Sequence, residues 1–137
     1  MQLENIVPDE GSFVNVLRAC HYPEFLEKGK VIHTNIVQRG FDSVLTINTA
    51  LISMYGKCGA LEETHYVFDG VEEKNLVLWT AIITAYTQQG YGEEAIQLFK
   101  EMRLEGISPD IITLVSILGA YANLDGAAEH VKVIQAC

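Results

Sequence analysis

Side chains able to do covalent chemistry are few and scattered in this sequence. The histidines, His21, His33, His65 and His130, and the cysteines, Cys20, Cys58 and Cys137, show no ligand spacing. A zinc deaminase site is marked by Cys-x-x-Cys, which binds the metal, and by His-x-Glu, whose His binds it and whose Glu moves protons, and neither step occurs. There is no glycine-rich phosphate loop and no nucleophile motif. The chain is therefore read as a non-enzyme without cofactor or metal, and what remains is recognition through hydrogen bonds and packing. The odd, widely spaced cysteines also argue against a disulfide framework and for a reducing compartment.

Composition bounds the setting. A chain of 137 residues with 49% hydrophobic content suits one folded, domain-sized unit and not a disordered segment. Its apolar runs fall far short of the roughly 20 residues a membrane helix needs, so no membrane partner is expected. The start, Met1-Gln2-Leu3-Glu4-Asn5, has neither the apolar core of a signal peptide nor Arg/Ser-rich transit character. A targeting signal is expected outside this stretch, which reads as part of something longer. The formal net charge of −9 counts against nucleic acid, because phosphate attraction usually shows as a basic face. Any case for nucleic acid has to come from pattern.

The pattern is internal repetition. Thr49-Ala50-Leu51-Ile52-Ser53-Met54-Tyr55 matches Thr80-Ala81-Ile82-Ile83-Thr84-Ala85-Tyr86 at an offset of 31, and Gly59/Gly90, Glu62-Glu63/Glu93-Glu94 and Phe68/Phe99 extend it. A second echo sets Met1-Gln2-Leu3-Glu4-Asn5-Ile6-Val7-Pro8-Asp9 on Met102-Arg103-Leu104-Glu105-Gly106-Ile107-Ser108-Pro109-Asp110 at an offset of 101, continuing through Val14/Val115, Leu17/Leu118 and Ala19/Ala120. Three unequal units, of 35, 31 and 35 residues, account for it.

Each unit reads as two helices. Trp79, Ile82, Ile83 and Tyr86 fall at i, i+3, i+4 and i+7, one helical face. Gln89-Gly90-Tyr91-Gly92 interrupts, and Ala95, Leu98, Phe99 and Met102 form a second stripe ended by Gly106 and Pro109. The unit from Leu45 repeats this with Ala50, Leu51, Met54 and Tyr55, a turn at Gly56-Lys57-Cys58-Gly59, then Val67 and Phe68. The unit from Glu10 uses Val16, Leu17 and Cys20, a turn around Pro23, then Leu26, Val31 and Ile36. Two short helices cannot bury their apolar faces alone, so the expected fold is all-α: an α-solenoid of stacked helix-turn-helix repeats.

These residues resemble a known family. Asn75-Leu76-Val77-Leu78-Trp79-Thr80-Ala81-Ile82-Ile83 and Glu93-Glu94-Ala95-Ile96-Gln97-Leu98-Phe99-Lys100-Glu101-Met102 look like the P-type pentatricopeptide repeat (PPR) motif. Asn48 through Gly59 resembles the S-type motif, and Phe13 through Cys20 with Leu26 through His33 resembles the L-type. The order L, S, P, L is that of the plant PLS subfamily, and the resemblance covers essentially the whole chain. It implies units at 10–44 (L), 45–75 (S), 76–110 (P) and 111–137 (a truncated L), with 1–9 as the tail of a preceding unit, wound into a right-handed superhelix. Thr64 stands where the family prefers Ala, which is expected to loosen packing. His130-Val131-Lys132 departs from the usual Gly-Lys, so the last unit is expected to pack less regularly.

The resemblance also implies a function: binding single-stranded organellar RNA, one base per unit, in RNA processing or cytidine-to-uridine editing in a mitochondrion or chloroplast, with editing or processing factors as further partners. In such proteins the fifth and last residues of a unit choose the base. Here they are Thr49 with Asn75, which the family pattern links to adenine, and Thr80 with Asp110, linked to guanine, giving a core 5′-A-G-3′. One base per helical repeat is a known mode of RNA recognition. The chemistry agrees: guanine offers N–H donors to a carboxylate that only accepts, and adenine's ring acceptor and amino donor suit an amide. Thr46 and Val77, at the second place, would flank the bases, as would Gly11. Val14 and Val44 hold the coding places of the L unit and cannot hydrogen-bond. Lys57 could meet phosphate or be a plain solvated charge, and binding is expected to be weak and strongly salt-sensitive. Two other readings stay open: a tetratricopeptide-like protein-binding solenoid, although Ile83 stands where that motif wants Gly, and a truncated product without a function of its own. Asp and Asn at unit junctions are also ordinary helix caps.

Overall fold

The computed structural model describes residues 9–20 and 22–122. All regular structure among them is helical: α1 (Glu10–Ala19), α2 (Leu26–Gln38), α3 (Leu45–Lys57), α4 (Leu61–Asp69), α5 (Leu76–Gln88), α6 (Gly92–Leu104) and α7 (Ile111–Ala122), with a short 3₁₀ turn at Pro23–Phe25 leading into α2. The expectations placed on 1–8, on His21 and on 123–137, including His130-Val131-Lys132 and Cys137, lie outside the described residues.

Local chemistry sets the helix ends. Asp9, Asn75 and Asp110 each accept a backbone N–H three residues on, from Ser12, Leu78 and Thr113 at 2.9 Å, and so open α1, α5 and α7. Carboxylates follow in the first turn of α4 (Glu62, Glu63) and α6 (Glu93, Glu94), where the helix dipole favours them. α2, α3, α5 and α6 end the same way. Gly40, Gly59, Gly90 and Gly106 take φ of 80–87°, which L side chains rarely adopt. The next residue then donates back into the last turn, as Ala60 N–H does to the Tyr55 carbonyl at 2.8 Å.

The helices form two layers. α1, α3, α5 and α7 pack side by side, while α2, α4 and α6 lie behind them, each against the first-layer helices on either side. Ile36, Ile47, Leu51, Ile52, Leu78, Ile82, Ile83, Ala95 and Met102 lose all solvent exposure between the layers. Each large one contributes about 1.5–3 kcal/mol by burial. Hydrogen bonds lace the pairs together: His33 Nδ1 with Tyr55 Oη at 2.8 Å (α2 to α3), His65 Nδ1 with Tyr86 Oη at 3.0 Å (α4 to α5), and Gln89 Nε2 donating to the Gly56 carbonyl at 2.9 Å. This is the all-α solenoid of helix pairs that the stripes predict.

Several details differ from the periodic reading. Gly56 and Lys57 are not turn residues. α3 runs through both, and only the step at Gly59 breaks it. Gly56 is buried because α5 comes close there; a Cβ on it would lie 2.5 Å from Ala85 Cβ. Val16 and Val31, placed in the apolar stripes, are exposed. Thr64 does not loosen α4: it is fully buried, and its hydroxyl donates to the Ala60 carbonyl at 2.9 Å.

Candidate nucleic-acid interface

The first-layer helices present one continuous face with two neighbouring clefts. The first, about 420 Å³, lies between α1 and α3 under the start of α5, and its walls include Thr46, Thr49, Asn75 and Val77. The second, about 410 Å³, lies between α3 and α5 under the start of α7, with Thr49, Val77, Thr80 and Asp110 in its walls. Each cleft thus brings together one of the residue pairs singled out in the sequence, although the members of each pair are 26 and 30 positions apart. Val77 stands in the wall of both, an apolar partition with 59% of its surface exposed. Thr46, at the matching place one unit earlier, borders the first cleft only.

Asn75 and Asp110 are exposed at the rim, yet each commits its Oδ1 to capping the next helix. Both readings of these residues are therefore physically compatible. The cap takes one terminal atom and leaves the other, and that other atom is where Asn and Asp differ. Asn75 keeps an Nδ2 amide, a donor; Asp110 keeps Oδ2, an acceptor. The Thr113 N–H and hydroxyl beside Asp110 hold its carboxyl below the usual carboxylate range, so it is ionised and acceptor-only at neutral pH. Val44, at the same register, gives α3 no side-chain cap.

The threonines are held from behind. Thr49 donates its hydroxyl to the Leu45 carbonyl one turn back at 2.9 Å. Thr80 instead bonds across to α7, Oγ1 to Thr113 Oγ1 at 2.8 Å. Thr113 was not among the residues picked out by sequence, although a hydroxyl where the neighbouring units carry Leu78 and Ile47 is a visible signal. Lys57 sits in the walls of both clefts and Arg18 in the first, so the cations of this face were only half legible.

Charge is sorted between the layers. α1, α3, α5 and α7 contain a single carboxylate, Glu10, whereas α4 and α6 carry Glu62, Glu63, Asp69, Glu93, Glu94 and Glu101. Helix α4 is thus the most acidic, while the first-layer helices set Arg18 and Lys57 against Glu10 alone. Among the described residues no group of three or more His, Cys, Asp or Glu side chains could hold a metal ion.

Paired helices in two layers, with unit-spaced clefts along one of them, define a helical-repeat solenoid. Residues 49–76 match the model of the PPR repeat and 74–123 that of the PPR repeat family. The chain belongs to the pentatricopeptide repeat family. It is 44% identical over 91% of its length to the Arabidopsis thaliana pentatricopeptide repeat-containing protein CRR2, chloroplastic, of which it covers 19%. It is 36% identical over 98% of its length to At3g12770 from the same plant, of which it covers 20%. It thus spans about a fifth of the length of such relatives. Among solved structures, that of the pentatricopeptide repeat protein PPR10 in complex with an 18-nt psaJ RNA element superposes with a TM-score of 0.78 at 22% identity, over 98% of this chain and 20% of that one. At that identity the likeness establishes the shared fold.

Proposed function

We propose that this chain binds single-stranded RNA on its first-layer face, one nucleotide per helix pair, with units at 10–44, 45–75, 76–110 and from 111 onward. Within a longer protein of the PLS type it serves organellar RNA processing or editing; CRR2, of similar sequence, carries a chloroplast designation in its name. Binding is its role, and any chemistry on the RNA belongs to other segments or partners. The observation that carries this reading is the pair of adjacent clefts, each with a threonine and an Asn or Asp at its rim. An extended strand laid across them meets Thr49 and Asn75, then Thr80 and Asp110. The Asn75 amide donates to adenine's ring nitrogen, and Asp110 Oδ2 accepts from guanine's N–H groups. Val77 separates the two bases.

Asp110→Asn is a clean test, because Asn75 already caps α5 in the manner Asp110 caps α7 and the two residues are equivalent caps. Only the outward atom changes. RNAs varying at the second nucleotide of the A-G core are titrated at fixed salt onto the full chain by nuclear magnetic resonance, which reads weak affinities. The variant should move preference from guanine toward adenine by roughly five- to a hundredfold, the worth of one good base contact. The adenine read by Thr49 and Asn75 should be unaffected. Equal weakening for all four bases would make Asp110 a cap and nothing more.

A further inference from the structure

Four polar atoms at the start of α7 form one chain. Asp110 Oδ1 accepts both the Thr113 backbone N–H at 2.9 Å and the Thr113 hydroxyl at 2.8 Å, and Thr113 Oγ1 meets Thr80 Oγ1 at 2.8 Å. Thr113 is completely buried. A hydroxyl has one proton to give. An ionised carboxylate accepts only, so the Thr113 proton points to Asp110, and the contact between the hydroxyls has to run from Thr80 to Thr113. The Thr80 proton is thereby turned away from the cleft, and Thr80 shows the base lone pairs alone.

We propose that Thr113 is a positioning residue that sets the hydrogen-bond polarity of the second cleft, fixing Thr80 and Asp110 as two acceptors and so selecting a base edge with two adjacent donors. Guanine's ring N–H and amino group make such an edge; adenine, with a ring acceptor beside its amino donor, does not. This inference rests on the RNA reading above and names a determinant outside the unit whose base it helps choose, since Thr113 belongs to the following helix pair.

The first cleft supplies the contrast. Leu78 stands where Thr113 stands one unit later, so no hydroxyl links Thr49 to Asn75, and Thr49 is held by Leu45 instead. The arrangement at α7 recurs at α1. Asp9 caps through the Ser12 N–H at 2.9 Å, and the Ser12 side chain also bonds its carboxylate, again holding the acid below its ordinary range. Asp-x-x-Ser/Thr thus marks both described junctions that follow a Pro-Asp step.

Thr113→Val keeps the shape and deletes the hydroxyl, and Thr113→Ser keeps the hydroxyl. The seam between α5 and α7 retains its second hydroxyl pair, Thr84 with Ser116 at 2.8 Å, in either variant. Wild type and both variants of the full chain are titrated with RNAs carrying each base at the second nucleotide of the core. The guanine-over-adenine ratio should fall about fivefold or more in Thr113→Val, the lower bound of one base contact, and return in Thr113→Ser. The adenine preference at the first nucleotide should hold throughout. If Thr113→Val keeps the wild-type ratio, or weakens both nucleotides and all bases alike, Thr113 is a packing residue and the inference is overturned. If wild type itself shows no guanine preference here, the RNA reading falls first and this inference falls with it.

Discussion

Replacing Gly56 by Ala sets two effects of known size against each other. Gly56 lies inside α3, where intrinsic helix propensity favours Ala over Gly by about 0.8–1 kcal/mol. The added Cβ, however, would lie 2.5 Å from Ala85 Cβ and 3.3 Å from Ala85 Cα on α5. Carbon atoms rest at about 3.5–4.0 Å, so the helices would have to separate by about 1 Å. Ala85 cannot swing aside, because its Cβ is fixed to the backbone. Overpacking costs about 1–3 kcal/mol, and a contact of backbone-fixed atoms belongs in the upper part of that range, about 2–3 kcal/mol, so the clash wins and the net loss should be about 1–2 kcal/mol, at roughly 4 °C of melting temperature per kcal/mol for this chain length. Gly29 is the control. A Cβ there would come within 2.6–2.7 Å of Met54 Sδ and Cε, the mobile end of a flexible side chain. Gly29→Ala should therefore stay within about 1 kcal/mol of wild type, where the same propensity gain offsets the shift of Met54. Thermal and urea unfolding followed by far-ultraviolet circular dichroism measures both. If Gly56→Ala proves as stable as wild type, the spacing of α3 and α5 is not set by their contact at Gly56.

Two further outcomes follow from the polar groups. Burial lowers the His33 pKa below 6.5, against an opposing pull from Asp42, and raises that of Tyr55 to about 12. The folded chain thus binds fewer protons than the unfolded chain at His33 and more at Tyr55. Stability should therefore decline as pH falls below 6.5 and again as it climbs above 10; a His33 imidazole titrating at or above 6.5 by nuclear magnetic resonance would contradict the first half. Lys57→Gln should weaken binding to all bases alike and flatten the slope of log affinity against log salt by about 0.7, the value for one phosphate contact on a single strand; a change confined to one base would make Lys57 a reader.

The fold was legible because helix pairs leave a strong trace. Offsets of 31 and 101 and the stripes around Trp79 and Leu98 locate helices, and Gly59, Gly90 and Gly106 fall at the breaks. What could not be read were facts that depend on the neighbouring helix. Gly56 looks like a turn residue next to Gly59, and only the approach of Ala85 explains a buried glycine within α3. Val16 and Val31 fit the stripe period yet face outward, because period cannot tell which edge of a stripe a neighbour covers. In the candidate site the pairs Thr49/Asn75 and Thr80/Asp110 were named through family resemblance, not local pattern, and the clefts bring both pairs together. Thr113 escaped because its role needs two partners, one of them 33 residues away.

The negative net charge looks hostile to RNA only while it is treated as one number. Helix axes in contact lie about 8–10 Å apart, close to the Debye length of about 10 Å at 0.1 M salt. Carboxylates on α4 and α6 are therefore felt only in part by a strand lying on α3 and α5, while Lys57 and Arg18 stand in the cleft walls themselves. Added salt weakens the attraction to these two cations and also weakens the repulsion from the acidic layer behind. The two changes oppose each other, so the strong salt sensitivity expected from the sequence should be reduced, as a titration across salt concentrations would measure. Two phosphate contacts would give a slope of only about −1.4 before that offset. Most of the affinity then has to come from packing and hydrogen bonds in the clefts. That is the regime in which the outward atom of Asn75 or Asp110 can decide which base is held.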